Sequence, residues 1–255
     1  MQPALQWPEN WNATKTRSTM SNLELLNNID HKDLRIITAH GAQYGDNVMT
    51  ALTFAQEFRN LQAHYAIVFF KSDDGSAFQS VALLGFQAGE NLFLDPRGWD
   101  AAYVPLTIAR QPFLIGNVSG EMLLHVDMES PRVSRTEGEH VFLKFGGNSE
   151  FLEKMSSILG AIHDGRNLDP AFSAALQEFN LLESFVFDLE LVDGSQHRLV
   201  GFYTINEERL SALDGQALEK LSRAGFLQPI YMAIASLSNL SALAERKRRA
   251  HAAQS

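Results

Sequence analysis

HYAIVFFKSDDGSAFQSVALLGFQAGENLFLDPRGWDAAYVPLTIARQPF, residues 64–113, decides the fold. Within it, residues 66–70 and 81–86 are uninterrupted apolar runs of strand length, rich in β-branched and aromatic side chains. They are joined across Asp73, Asp74 and Gly75, residue types that favour a turn. Runs with no polar alternation read as strands covered on both faces, so the block opens with a buried hairpin. After Phe86 the pattern breaks into a loop, 91–113, dense in Asn, Phe, Trp, Tyr and Pro.

The same vocabulary returns later in the chain. Residues 185–191 and 197–203 are again strand-like, turn at Asp193, Gly194 and Ser195, and carry Gly201-Phe202 where the first hairpin has Gly85-Phe86. An internal duplication explains the echo. So does the plain fact that Asp-Gly-Ser and a strand-ending Gly-Phe suit many hairpins.

Around these hairpins the periodicity predicts a short strand at 34–39, then a loop through Gly41 and Gly45. Phe54, Phe58 and Leu61 have helical spacing over 53–63. A second strand pair is expected at 112–115 and 121–126 around residues 117–120, and a short strand at 141–145. Ser149 is a suitable N-cap for a helix over 150–163, and Asp169 with Pro170 at the first helical position opens another that ends near Leu182. Helices over 207–224 and 229–249 close the chain, the last with Ile230, Ile234, Leu237 and Leu240 in one apolar stripe. The expected class is α+β, a mostly antiparallel sheet with two similar hairpins and a helical C-terminal part. One domain over 20–245 is expected, after a polar extension at 1–19 and before a basic tail at 246–255. Met20 reads as the ancestral start.

Composition narrows the setting. No run approaches eighteen apolar residues, so no membrane span is expected, and the N-terminus lacks the charge and apolar core of a secretory signal. A cytoplasmic location follows as the expectation. With zero cysteines, thiol nucleophiles and thiolate zinc sites are excluded. The net charge of −9 includes the basic run Arg246, Lys247, Arg248 and Arg249, so the remaining body is more acidic still and repels nucleic acid and anionic lipid. The basic run reads as a frayed, solvated helix end that complements the helix dipole. A nucleic-acid contact through it is the minority reading.

The ordered set His31, Asp33, Leu34, Arg35; Ala66, Ile67, Val68, Phe69; Leu83, Leu84, Gly85; Asn91, Leu92, Phe93, Trp99, Tyr103, Pro105, Pro112, Phe113 resembles the SapC family. Asp127, Ser130, Pro131, Gly201, Tyr203, Leu210, Ser236, Leu237 and Asn239 continue the resemblance, which covers Met20 to about Leu243. The peptide-transport permease that shares the name is a membrane protein, which this chain cannot be without a span. The resemblance implies a bacterial protein linked to surface layers, or to genes near outer-membrane receptors, flavin-dependent halogenases and cupin-like oxygenases. It implies no reaction. An accessory role in making, modifying or delivering a surface component is what it supports.

Two constellations are candidates for chemistry. In loop 91–113, Phe93, Trp99, Tyr103 and Phe113 offer flat apolar area, while Asn91, Asp95, Asp100 and Arg110 add donors and acceptors. Such a mixture suits a pocket for a peptide or glycan, or a protein interface with aromatic anchors. The competing expectation is a connection folded onto the sheet with its aromatics in the core. The second constellation is His125-Val-Asp127, whose imidazole and carboxylate share one face of a strand. His197 as third ligand would complete a facial triad for Fe(II), with Arg198 or Arg209 pairing a 2-oxo acid. The alternative is that Asp127 caps the turn at Ser130-Pro131, with His125 partly buried beside it.

Other signals are weaker. Gly146-Gly147 lacks the spacing and lysine of a phosphate loop, and no Gly-x-Ser-x-Gly elbow occurs. His40 is within pairing range of Asp46 in sequence, and reads as structural. Glu207-Glu208 suit a helix N-terminus. The leading expectation is an accessory protein that binds surface-associated peptide, protein or glycan through loop 91–113 and needs no cofactor. The rival is an oxygenase using Fe(II) and a 2-oxo acid at His125, Asp127 and His197. A homo-oligomeric scaffold is a third.

Overall fold

The computed structural model describes residues 22–72, 75–118 and 121–253. Strands β1 (Leu23–Leu25) and β2 (Arg35–Ile36) come first, followed after a 3-10 turn by β3 (Thr50–Thr53). A second 3-10 turn, Ala55–Glu57, runs into α1 (Phe58–Leu61) and then the hairpin β4 (Ile67–Lys71) and β5 (Phe78–Leu83). The long loop after it holds the two-residue strands β6 (Leu94–Asp95) and β7 (Gly98–Trp99) and the one-turn helix α2 (Leu106–Ala109). Next are β8 (Phe113–Val118), β9 (Glu121–Asp127), β10 (Val133–Ser134) and β11 (Glu139–His140). The chain continues through α3 (Glu150–Glu178), β12 (Leu182–Glu190), β13 (Gln196–Ile205), α4 (Glu207–Ser211), α5 (Gly215–Arg223), α6 (Leu227–Ser236) and α7 (Asn239–Ala252). The class is α+β with antiparallel pairing and a helical C-terminal part. The expected extension at 1–19, residues 73–74 of the first turn and residues 119–120 of the strand pair lie outside the described residues.

The main sheet has the order β12-β13-β4-β5-β3, so the two hairpins lie side by side, with Phe202 opposite Phe70 and Tyr203 opposite Phe69. Their environments differ. Ile67, Val68, Phe69 and Phe70 of β4 are all buried, whereas β12 is mostly exposed and bulges between Phe185 and Phe187. The flanking connections differ too: β4 follows the short α1 and β12 follows the long α3. The likeness is thus confined to the hairpins, and the duplication is not confirmed.

Polar side chains finish what the strand pairing leaves open. Ser236 Oγ accepts the N–H of Ile67 at 2.9 Å and donates to the Ala233 carbonyl at 2.6 Å, which ties α6 to the start of β4. Asn239 donates to the carbonyls of Gln62 and Tyr65, and Ser173 Oγ of α3 accepts the N–H of Phe78. A buried strand-end amide without a partner costs on the order of a hydrogen bond, about 1–3 kcal/mol. Ser236 and Ser173 remove that cost for two strand-end amides, and Asn239 satisfies two carbonyls in the same way.

A second, smaller core forms beneath the sheet β1-β9-β8, from Leu34, Ile36, Phe113, Val126, Val141 and Phe142. Helix α3 serves both cores. Its first half contributes Leu152, Met155 and Leu159 to the smaller one, and its second half Phe172 and Leu176 to the larger.

That helix corrects an expectation, because residues 150–178 are one uninterrupted helix with Pro170 inside it, not a pair meeting at Asp169. Proline removes one helical hydrogen bond and crowds the preceding turn, a loss of about 3 kcal/mol in an isolated helix. Packing on both sides of Pro170 offsets it: Gly165 lies directly against the Phe54 ring, and Phe172 is 2% exposed in the core. The C-terminal part differs in the other direction, with four helices where two are expected. Asp214 caps α5 through the Ala217 N–H, and Gly225, with φ of 76°, ends it. The basic run is not a frayed tail either, since α7 continues to Ala252 and buries Lys247. Among the described residues no single helix is long and apolar enough to cross a membrane.

Candidate functional site

Two loops meet at one rim. The first, around residues 37–49, is organised by Asp46, whose side chain is fully buried. Arg132 Nη2 donates to both carboxylate oxygens at 2.7 Å, and its Nη1 donates to the carbonyls of Ile37 and Ala39. The Gly41 N–H donates to Oδ2 at 3.0 Å, and His40 Nδ1 lies 3.1 Å from the same oxygen. Tyr44 covers the guanidinium from one side, 5.3 Å from its ring centroid. Burial pushes the Asp46 carboxyl up, but the His40 and Gly41 hydrogen bonds and the Arg132 charge outweigh it, so the group lies below its ordinary range. Asp46 is therefore an ionised acceptor. In a neutral imidazole this places the proton of His40 on Nδ1 and leaves Nε2 as an acceptor.

The second loop is the aromatic one, and Asn91 staples it to the first. Its Nδ2 donates to the Asp46 carbonyl at 2.8 Å while its Oδ1 accepts the Phe93 N–H. Trp99, opposite Leu94 in the small hairpin, donates Nε1–H to the Tyr65 hydroxyl at 2.7 Å. That hydroxyl in turn donates to the Tyr103 carbonyl. Tyr103 donates its own hydroxyl to Glu57 Oε1 at 3.1 Å, and Glu57 also accepts the Leu106 N–H and the Thr53 hydroxyl, each at 2.7 Å. Burial pushes the Tyr65 and Tyr103 hydroxyls and the Glu57 carboxyl above their ordinary values. Both phenols consequently act as donors. Trp99 and Tyr103 stay half-buried with their polar ends turned inward, so carbon surface is what they present outward.

His40 joins the two loops at the surface. Its ring stands 5.3 Å from that of Trp99 at 64°, and its side chain is 21% exposed. Among the described residues nothing bonds its Nε2. Behind Trp99, Arg246 of α7 lies 4.4 Å over the Phe93 ring and pairs with Asp100 at 2.6 Å. Lys247 pairs with Glu90 at 2.5 Å. The basic run thus clamps the aromatic loop from outside.

The six residues expected to bind do not form one surface. Asn91, Phe93, Trp99 and Tyr103 come together, but Phe93 is buried under Arg246 and Asn91 is committed to the two loops. Phe113 belongs to the smaller core at 0% exposure, and Arg110 donates to the Phe113 carbonyl at 2.7 Å. Burial, with Arg166 near it, lowers the Arg110 pKa. Those two residues support the fold at the far end of the loop.

The expected metal trio is not brought together. His125 and Asp127 do share β9, where the imidazole lies on Gly116 with Nδ1 at 3.2 Å from the Leu123 carbonyl. Asp127 Oδ1 accepts the Glu129 N–H, and its carbonyl accepts that of Ser130. His197 belongs to β13 of the main sheet, beside Phe86. Among the described residues no three His, Asp or Glu side chains are grouped to hold an ion.

Spacing in the sequence puts His40 near Asp46 but does not show the partner that makes the pair matter. Arg132 is 86 residues from Asp46, and the turn that carries it holds no sign of a buried guanidinium. Asp169 is no helix cap. Among the described residues its Oδ1 is buried without a hydrogen-bond partner, and burial, only partly offset by a hydrogen bond from the Ala55 backbone, pushes the carboxyl up to about 7.

The SapC family model matches residues 26–243, most of the chain, and the chain belongs to that family. No curated protein and no solved structure matches it.

Proposed function

From membership of the SapC family and the geometry of the rim, we propose an accessory binding protein that acts in the cytoplasm on a bacterial surface component. It takes up a peptide, protein or glycan at the rim formed by His40, Trp99 and Tyr103. One observation carries this reading: the partly buried rings are fixed by hydrogen bonds from their polar ends to buried groups. A surface aromatic with no partner loses little by being mobile. Here Tyr65, itself fully buried, anchors Trp99, and Glu57 anchors Tyr103. Fixing a contact residue before binding lowers the ordering cost of association.

Affinity capture on the full chain, followed by mass spectrometry, tests the proposal. A ligand captured by wild type is expected to be lost from Trp99→Ala at unchanged far-UV circular dichroism, and retained by Phe145→Ala, which removes a 93% exposed ring elsewhere. Loss from the second variant and retention by the first would overturn it.

A further inference from the structure

The charge pairing around the rim narrows what it takes, on the premise that the rim binds a ligand at all. Three guanidiniums stand near Trp99, and each is matched by a carboxylate: Arg97 by Asp95, Arg246 by Asp100, and Arg132 by Asp46. Pairing lowers the net charge that an anionic or a cationic ligand would meet at the rim.

Beside these pairs the rim presents two rings, those of Trp99 and His40. Trp99 offers indole carbon, because its N–H is spent on Tyr65. His40 turns Nδ1 toward buried Asp46, so the exposed part of the imidazole is the side that carries Nε2. With Asp46 ionised, Nδ1 carries the proton in the neutral tautomer and Nε2 accepts a hydrogen bond there. The two rings are inclined at 64° with centroids 5.3 Å apart, so a group in contact with the indole is within reach of the imidazole.

These features suit a ligand with no net charge, a C–H-rich flat face and a hydrogen-bond donor such as a hydroxyl at its periphery. We infer that the rim binds a neutral sugar ring, stacked on Trp99 and donating one hydroxyl to Nε2 of His40. A peptide added as a further strand fits less well, since that mode needs an open strand edge and β6 and β7 have two residues each. The rigid support behind the rim serves this class of ligand. Sugars bind weakly per contact, so the imidazole and indole must be in place beforehand, and Arg132 and Tyr65 hold them there.

Saturation-transfer NMR and calorimetry on the full chain test the inference, with tetrasaccharides of glucose, mannose and N-acetylglucosamine as neutral probes and tetragalacturonate as the charged one. At least one neutral probe is expected to bind. Its affinity should fall at least tenfold in Trp99→Ala and also in His40→Phe, which keeps a flat ring and removes the Nε2 acceptor together with the Nδ1 contact to Asp46, both at unchanged far-UV circular dichroism. Asp46 is left intact because its loss would disturb the fold. The inference is overturned if no neutral probe binds, if tetragalacturonate binds more tightly, or if His40→Phe binds like wild type. Failure of every sugar together with a protein partner lost in Trp99→Ala would leave the binding rim standing and remove the sugar. Sugar binding that Trp99→Ala leaves unchanged would remove both.

Discussion

Two glycines in α3 predict opposite effects of the same substitution. At Gly165 an added Cβ would lie 2.1, 2.4 and 2.5 Å from three atoms of the Phe54 ring, which is 3% exposed and has nowhere to retreat. At Gly160 nothing lies within 4 Å of the added atom. Both Gly→Ala changes gain helix propensity, about 1 kcal/mol each. Overlap with three ring atoms by more than an ångström puts Gly165→Ala at the upper end of overpacking costs, about 3 kcal/mol. The net expectation is a loss of about 2 kcal/mol for Gly165→Ala and a gain of about 1 kcal/mol for Gly160→Ala. By thermal melting that is a fall of about 4–8 °C for the first and a rise of about 2–4 °C for the second, for a chain of this size. The difference between the variants isolates the packing cost, since the propensity gain cancels. Phe54 also accepts the Glu57 N–H, so displacement of the ring should reach the carboxylate that holds Tyr103 and change the near-UV spectrum. If both variants shift stability in the same direction by the same amount, the close approach of Phe54 is not what that position requires.

Three further outcomes follow from buried polar groups. Asp169 has a folded-state pKa of about 7 against an ordinary 3.8, so the native form keeps a proton that the unfolded chain releases. Its contribution to stability is therefore full below about pH 4 and is lost as pH rises to about 7. Asp169→Asn should raise the urea midpoint at pH 8 and flatten that decline, and an unchanged pH profile would refute the assignment. Tyr65→Phe strands the Trp99 indole N–H and the Tyr103 carbonyl, so it should cost about 2 kcal/mol in urea unfolding and loosen the Trp99 fluorescence anisotropy. Lys247→Ala breaks an ion pair whose side chains are 11% and 15% exposed and should cost about 2 kcal/mol, below the range for full burial. Arg248→Ala, at an exposed pair 3.8 Å apart, should cost less than about 0.5 kcal/mol, and equal losses would show that the clamp on the aromatic loop adds nothing.

Local patterns make the central hairpin legible in the sequence. The run Ile67 to Phe70 has one conformation that buries every side chain, and the chain adopts it. Pro170 points the wrong way because proline's local preference is a helix start, while the forces that keep α3 continuous come from Phe54 and the core, far away in sequence. Phe93 and Trp99 illustrate a similar limit. Both are aromatic and six positions apart, yet Arg246 covers the first, which is buried, while the second stays partly exposed. The His40–Asp46–Arg132 cluster is only half legible, because a buried charge is recognised by its partner and that partner lies in another loop. Nor can the basic run announce that Arg246 and Lys247 turn inward while Arg248 and Arg249 turn outward; that is a property of one helical face.

The position of α3 has a consequence for how the molecule comes apart. A 29-residue helix spans about 43 Å, and this one carries buried side chains of both cores along a single hydrogen-bonded rod. Opening either core strips one half of the helix of its packing, and an unsupported half-helix of that length is marginal in water. Hydrogen exchange along residues 150–178 should therefore report a single cooperative unit, with amides on both sides of Pro170 exchanging together. Pro170, two residues before Phe172, lies on the larger core's side of the stretch that joins them.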